Sequence, residues 1–191
     1  MTEPPVTRPS LLVRIRDAAD REAWRQFVDL YAPVIYAQAR RRGLQDADAA
    51  DLTQDVFRAV ANRPLDYDAH RGTFRGWLYT VTRNKLRDLA DRRRHQVRAA
   101  GDTATSDALD EQPAPDDAAE WDRDYERRLF QWAAEQIRGE FEEKTWRAFW
   151  RVAVDGAGAT ETAAELGLSV GAVYVAKSRV VARLRKQIQQ L

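Results

Sequence analysis

Two stretches of this chain set cations beside aromatic or small apolar residues at helical spacing, and the chemistry of both is nucleic-acid chemistry. The first is Phe74-Arg75-Gly76-Trp77-Leu78-Tyr79, followed by Arg83, Asn84, Lys85, Arg87 and the run Arg92-Arg93-Arg94. Guanidinium and ammonium groups neutralise phosphates, and aromatic rings stack on unpaired bases, so the pair of them suits a single strand. The plainer use of an aromatic side chain is burial, and Trp77 and Leu78 suit a core better than a base. The plainer use of an arginine run is solvation. Residues 71–98, however, hold 9 basic against 2 acidic side chains, net +7, which exceeds what solubility needs.

The second stretch is more specific. Ala163 is small and lies four residues before Gly167, which can take the left-handed conformation that ends a helix tightly. Leu168 then turns inward and Ser169 caps the next helix. That helix, 170–187, puts Val173, Ala176, Val180 and Leu184 on one face and Lys177, Arg179, Arg183, Arg185 and Lys186 on the others, with no acidic residue. Small residue, glycine, hydrophobe, cap and basic amphipathic helix make a helix-turn-helix pattern, whose second helix enters the major groove by its N-terminal end. Ser169, Gly171, Ala172, Tyr174, Val175 and Ser178 are placed to meet base edges, and Lys177, Arg179 and Arg183 to meet phosphates.

A third constellation is acidic. Asp48, Asp51 and Asp55 fall at i, i+3 and i+7 of DADAADLTQDVFRAVA, residues 46–61, away from a stripe of Leu52, Val56, Phe57 and Val60. Spacing alone reads as a solvated face whose first carboxylates favour the helix dipole.

Other chemistry is excluded. The 191 residues include no cysteine and two histidines, His70 and His95, so thiolate or histidine-rich metal sites are not expected, nor any cofactor. Asp51 with Asp55, or Asp66 with Asp68, could be named as paired carboxylates. No phosphate loop or nucleophile with a base accompanies them, and the chain does not read as an enzyme. Met1 to Ser10 is polar with prolines at 4, 5 and 9, and no apolar run reaches 18 residues. A cytoplasmic protein without membrane association is expected.

The formal net charge of +1 is a cancellation. Residues 1–70 carry −1, 71–98 carry +7, 99–126 carry −9 and 127–191 carry +4. The acidic block includes AAGDTATSDALDEQPAPDDAAE, residues 99–120, with one leucine, no aromatic residue and no apolar period. It cannot bury enough surface to offset the entropy of ordering, and is expected to be a flexible linker.

The elements that must position these groups are all helical by period. Helices are expected over 24–42 (with a kink at Pro33 and a stop at Gly43), 46–61, 74–95 (capped by Thr73) and 121–138. Two more are expected over 143–154 and 161–166, ahead of 170–187. In the first, Trp24, Phe27, Val28, Tyr31, Ile35 and Ala39 share the apolar face; Trp77, Leu78, Val81, Leu86 and Leu89 do so in the third. Trp121, Tyr125, Leu129, Trp132 and Ile137, and then Trp146, Phe149, Trp150 and Ala153, are expected in a core. Residues 62–73 read as a loop, and Thr160 as the cap of the helix that follows it. The expected fold is all-α: an N-terminal tail and start of the first helix (1–19), a first helical domain (20–98), the linker (99–120) and a second helical domain (121–191).

Taken in order, these motifs resemble the sigma-70 family of RNA polymerase initiation factors, extracytoplasmic-function (ECF) group. Asp51-Leu52-Thr53-Gln54-Asp55-Val56-Phe57 is similar to the DLxQ(E/D)VF signature of the family's region 2. Phe74-Arg75-Gly76-Trp77-Leu78-Tyr79 with Thr82-Arg83-Asn84 is similar to its FRxWLYxIARN signature. The helix-turn-helix resembles region 4. The resemblance covers about 20–95 and 125–188, and leaves no space for the middle domain of housekeeping factors.

The resemblance implies roles. Asp48, Asp51, Gln54 and Asp55 would dock on the β′ clamp helices of core RNA polymerase, an acidic face on a basic coiled coil, with the β flap as a further contact. The loop 62–73 and the helix from Phe74 would read the −10 element as unpaired strand, with Arg71, Phe74, Arg75, Trp77, Arg83, Asn84 and Lys85 in contact. The helix 170–187 would read the −35 element as duplex promoter DNA. The linker would thread near the RNA exit path, and an anti-sigma factor is a partner the family allows for. Tyr174-Val175 stand near where the family commonly has Lys-Ser, and Gly139-Glu140-Phe141-Glu142 replaces its Leu-Pro entry to region 4, which implies a subgroup with its own promoter. A stand-alone helix-turn-helix regulator is the alternative; it gives no use to the acidic helix or to 74–95.

Overall fold

Asp20 starts the first long helix by folding back on it. Its carboxylate accepts from the Ala23 N–H at 2.9 Å and from Arg14 Nε at 2.8 Å. These bonds, Arg14's foremost, hold the Asp20 carboxyl below the usual carboxylate range. The computed structural model describes residues 9–62, 72–99 and 117–190. In order the α-helices are α1 (Pro9–Arg14), α2 (Arg21–Arg41), α3 (Asp46–Asn62), α4 (Phe74–Ala99), α5 (Asp117–Ile137), α6 (Glu143–Ala153), α7 (Ala159–Leu166) and α8 (Val170–Gln189). No strand occurs among the described residues, as the helical periodicity predicts. Arg71 and most of the 62–73 loop lie outside the described residues, as do 100–116 of the expected linker. Ala99 ends α4 and Asp117–Glu120 begin α5, so the helices reach into both ends of that acidic stretch.

The chain divides into two units, Met1–Arg128 and Leu129–Leu191, and the division falls within α5. In the first unit α2 packs on α3 and α3 on α4. Phe27, Leu30, Tyr31, Val34 and Ile35 of α2 meet Leu52, Val56 and Val60 of α3 and Phe74 and Leu78 of α4, all buried. Phe27 stands edge-on to Phe57 (5.5 Å) and Phe74 (5.9 Å). Val28, expected on this face, is exposed, and Leu30 and Val34 take the place inside. Gly43 (φ +80°) ends α2, with the Leu44 N–H reaching the Ala39 carbonyl at 3.2 Å and Leu44 buried beneath the turn.

Pro33 sits inside α2. It has no N–H to give the carbonyl of Asp29 one turn back, which is thereby left open. Arg128 Nε, from α5, donates to that carbonyl at 2.8 Å. The same end of α5 sends Trp121 and Tyr125 into this unit's core: Tyr125 stacks on Tyr31 (5.2 Å, 23° between planes) and Trp121 lies against Tyr79 at 5.6 Å. Arg41 pairs with Glu120 (3.5 Å) and Asp124 (2.5 Å), and Arg42 with Asp117.

In the second unit Ala148, Ala163, Leu166, Val173 and Ala176 form one buried cluster where α6, α7 and α8 pack, with Val152, Ala159 and Leu168 against it. Trp132, Ile137, Phe149, Val180 and Leu184 are buried as well. Gly167 takes φ +63° and ψ +43°, and the Leu168 N–H closes on the Ala163 carbonyl at 2.9 Å. Ser169 Oγ then accepts from the Ala172 N–H at 3.1 Å and starts α8. Three details differ from expectation. α7 begins at Ala159, because extended Gly158 is its cap, so Thr160 lies inside the helix. Ala153 is exposed, since α6 ends there and its buried face is Trp146, Ala148 and Phe149. Trp150 is half-buried and stacked on Trp146 at 5.7 Å.

Candidate nucleic-acid interface

α4 turns three faces to three different environments. Its core stripe is strict i, i+4: Phe74, Leu78, Thr82, Leu86 and Ala90 are buried, while Trp77, Val81 and Leu89 sit half-buried to one side. Thr82 enters the core because its hydroxyl donates to the Leu78 carbonyl at 2.9 Å, which leaves its methyl to pack. Thr73 caps the helix, its Oγ1 accepting from the Gly76 N–H at 3.2 Å.

The second face holds Arg75, Tyr79 and Arg83, also at i, i+4, i+8, and is turned to α5. Arg75 is only 4% exposed, with its guanidinium 4.8 Å from the Tyr125 ring centre and 3.8 Å from Asp122. Burial pushes the Tyr79 hydroxyl's pKa up. Arg75 as placed here is a desolvated cation over an aromatic ring, out of reach of a phosphate. Phe74, 2% exposed, likewise offers no ring to a base.

The third face is the groove. Trp77, Thr80, Val81, Asn84, Lys85, Arg87 and Asp88 of α4 line a cavity of about 780 Å³ against Ala59 and Asn62 at the end of α3. An indole, an amide with both donor and acceptor, an ammonium, a guanidinium and one carboxylate thus share one solvent-open cleft. That set can stack a base, hydrogen-bond its edge and hold the adjoining phosphates. Of the seven residues expected at the −10 strand, Trp77, Asn84 and Lys85 meet in this groove. Phe74 is core, Arg75 and Arg83 lie on the α5 side, and Arg71 is outside the described residues. Sequence reading did not find Thr80, Ala59 and Asn62 as groove walls; the packing of α3 on α4 brings them in.

The acidic face of α3 is partly committed. Asp48 pairs with Arg93 of α4 at 2.5 Å. Arg58 reaches back to Asp55 (2.6 Å) and Gln54 (3.0 Å) in an exposed network that binds weakly. Asp51 is exposed and holds no ion pair among the described residues. On α8, Val173, Ala176, Val180 and Leu184 are buried as expected. Ser169, Gly171, Tyr174, Val175, Ser178 and Arg179 are exposed, and Ala172 and Lys177 half-exposed. Arg183 is the exception. Glu140 takes it in a two-pronged pair, both bonds 2.6 Å, and Gln187 accepts from Nη1 at 2.9 Å. No group of three or more His, Cys, Asp or Glu suited to a metal occurs among the described residues. Nor is any described helix long and apolar enough to cross a membrane.

Known proteins similar to this chain share one description. Residues 27–96, which hold α3's acidic face and the groove, match the family model described as Sigma-70 region 2. The RNA polymerase sigma factor NccH of Alcaligenes xylosoxydans xylosoxydans is 28% identical over 99% of this chain and 98% of its own. The ECF RNA polymerase sigma factor SigE of Mycolicibacterium smegmatis is 35% identical over 52% of this chain and 37% of its own. The RNA polymerase sigma factor CnrH of Cupriavidus metallidurans is 28% identical over 87% of each. The solved structure of CnrH in complex with the cytosolic domain of CnrY aligns over 95% of this chain at 24% identity, with a TM-score of 0.38.

Proposed function

We propose how this chain, which belongs to the sigma-70 family of RNA polymerase initiation factors and to its ECF group, does an initiation factor's work with the residues described above. It binds core RNA polymerase through the exposed acidic face of α3, with Asp51 and Asp55 as the main charges against the β′ clamp helices. The groove beside Trp77 receives a base of the −10 element once the duplex opens, with Asn84 on the base edge and Lys85 and Arg87 on the phosphates. α8 enters the major groove of the −35 element. The chain itself makes and breaks no bond; the polymerase does the chemistry.

The observation that carries this reading is the groove. An indole, an amide, two cations and one carboxylate, Asp88, meet in one open cleft on the helix that also bears the +7 segment, and the cations prevail. Acidic α3 and the cationic cleft are separate faces of one small unit, as a protein needs if it is to hold a basic enzyme surface and an acidic nucleic acid together. A stand-alone helix-turn-helix regulator uses only α7 and α8 and leaves both faces without a purpose.

The test is polymerase capture. The chain and its Asp51→Arg/Asp55→Arg variant are run with core RNA polymerase on a sizing column. Both positions are outside the core, so the variant keeps its helical circular dichroism. Co-elution of the parent chain, and a loss of at least about tenfold in affinity for the variant, is the expected result. Equal capture of both would overturn the docking face.

A further inference from the structure

We propose that α8 reads duplex DNA by apolar contact with thymine methyl groups, made by Tyr174 and Val175, and not by hydrogen bonds to base edges. This deepens the assignment of α8 to the −35 element and rests on it. The first two turns of α8 are Val-Gly-Ala-Val-Tyr-Val-Ala, residues 170–176. They contain no amide, guanidinium, ammonium or carboxylate. The side chains that distinguish G, A or C by paired hydrogen bonds are therefore missing from the end of the helix that reaches the groove floor. Hydroxyls at Ser169, Tyr174 and Ser178 remain, and Ser169 Oγ already accepts the capping N–H.

What that end presents instead is apolar. Tyr174 is 57% exposed and Val175 58%, among the most exposed large apolar side chains described. They flank the outward midline of the helix, along which lie Gly171, Ser178 and Ala182, all small and all exposed. Gly171 is informative in its own right. A Cβ there would meet only Ser169 Oγ at 3.9 Å, an ordinary contact, and the position is helical with no positive φ. Nothing within the chain requires glycine there, and glycine costs helix stability. A glycine at that place lets a surface outside the chain come close to the helix backbone.

The same helix has no acidic residue, and Arg179, Arg185 and Lys186 are exposed around the apolar strip. A polyanion fits that surround; an apolar protein surface would leave the cations without partners. In duplex DNA the apolar group offered to the major groove is the thymine 5-methyl. The upstream element of this factor should therefore carry thymines on either side of the base step faced by Gly171.

The test uses the full chain with core polymerase. Promoters are selected by transcription from a duplex library randomised upstream, and each upstream thymine is then replaced by deoxyuridine, which removes only the methyl. The expected result is a loss of about fourfold in promoter affinity at each of two positions, restored where a 5-methylcytosine·G pair puts the methyl back. Tyr174→Ala/Val175→Ala, both exposed and so compatible with folding, should bind thymine and uracil promoters equally. Uracil promoters bound as tightly as thymine ones by the parent chain would overturn the proposal while leaving α8 as the upstream reader. Selection of a downstream element alone would overturn α8 as a DNA reader and leave the initiation role standing. No selection at all would overturn both.

Discussion

The groove on α4 and the outer face of α8 are both proposed here as nucleic-acid surfaces, yet they share almost no chemistry. The groove has an indole, an amide and charges at its walls. The face of α8 has small residues along its midline, two apolar side chains beside it, and its charges at the edge. The difference follows from what each form of DNA offers. An unpaired base shows its ring face and its pairing edge, which an aromatic plate and an amide can take. A paired base hides both, and shows the major groove a methyl or a few polar atoms at the bottom of a cleft that admits one bare helix. A recess suits the first and a thin ridge the second.

The largest expected effect is that of Val173→Asp. Val173 is fully buried in the second unit's core, and an unpaired carboxylate there should cost more than about 3 kcal/mol. Urea unfolding followed by circular dichroism should show the loss. Upstream-element use should disappear with it, while single-strand binding by the first unit persists. Next is Trp77→Ala. Removing a stacking plate should weaken binding to an unpaired −10 strand by about tenfold or more and leave duplex upstream binding unchanged. Base-analogue fluorescence on forked promoters separates the two.

Smaller effects sharpen the contrast. Lys85→Ala should shallow the salt dependence of single-strand binding by about 0.7 on log–log axes, and Arg179→Ala that of duplex binding by about 0.9. Arg183→Ala is the smallest. Glu140 already neutralises that guanidinium, so the duplex salt slope should stay as it is, and stability should fall by no more than about 1 kcal/mol. A slope change as large as Arg179's would mean that DNA takes Arg183 away from Glu140.

The helices and their buried stripes were legible because periodicity states which residues share a face. α8 shows this best, with all four expected core residues inside and the glycine turn and serine cap in place. Periodicity is silent on what a face meets. Trp121 and Tyr125 are buried as their spacing predicts, but nothing local says that they pack in the first unit with Tyr79 and Tyr31. Arg75 illustrates the cost of that silence. By type it belongs on phosphate, and only the tertiary arrangement puts it over Tyr125. The spacing Arg75, Tyr79, Arg83 was a usable signal, since a tyrosine between two arginines at i+4 marks a face with a partner of its own. Thr82 is polar by type and so gives no core signal in the sequence, yet it is buried because its hydroxyl is satisfied within its own helix.

The most direct question is whether the chain and core polymerase together unpair promoter DNA at the groove's strand. Permanganate reactivity of thymines on a selected promoter measures that. Reactive thymines in the −10 segment with chain and polymerase together, silent with either alone and lost with Trp77→Ala, are the expected result. Reactivity that is unchanged by Trp77→Ala, or absent on every promoter of the library, would contradict it.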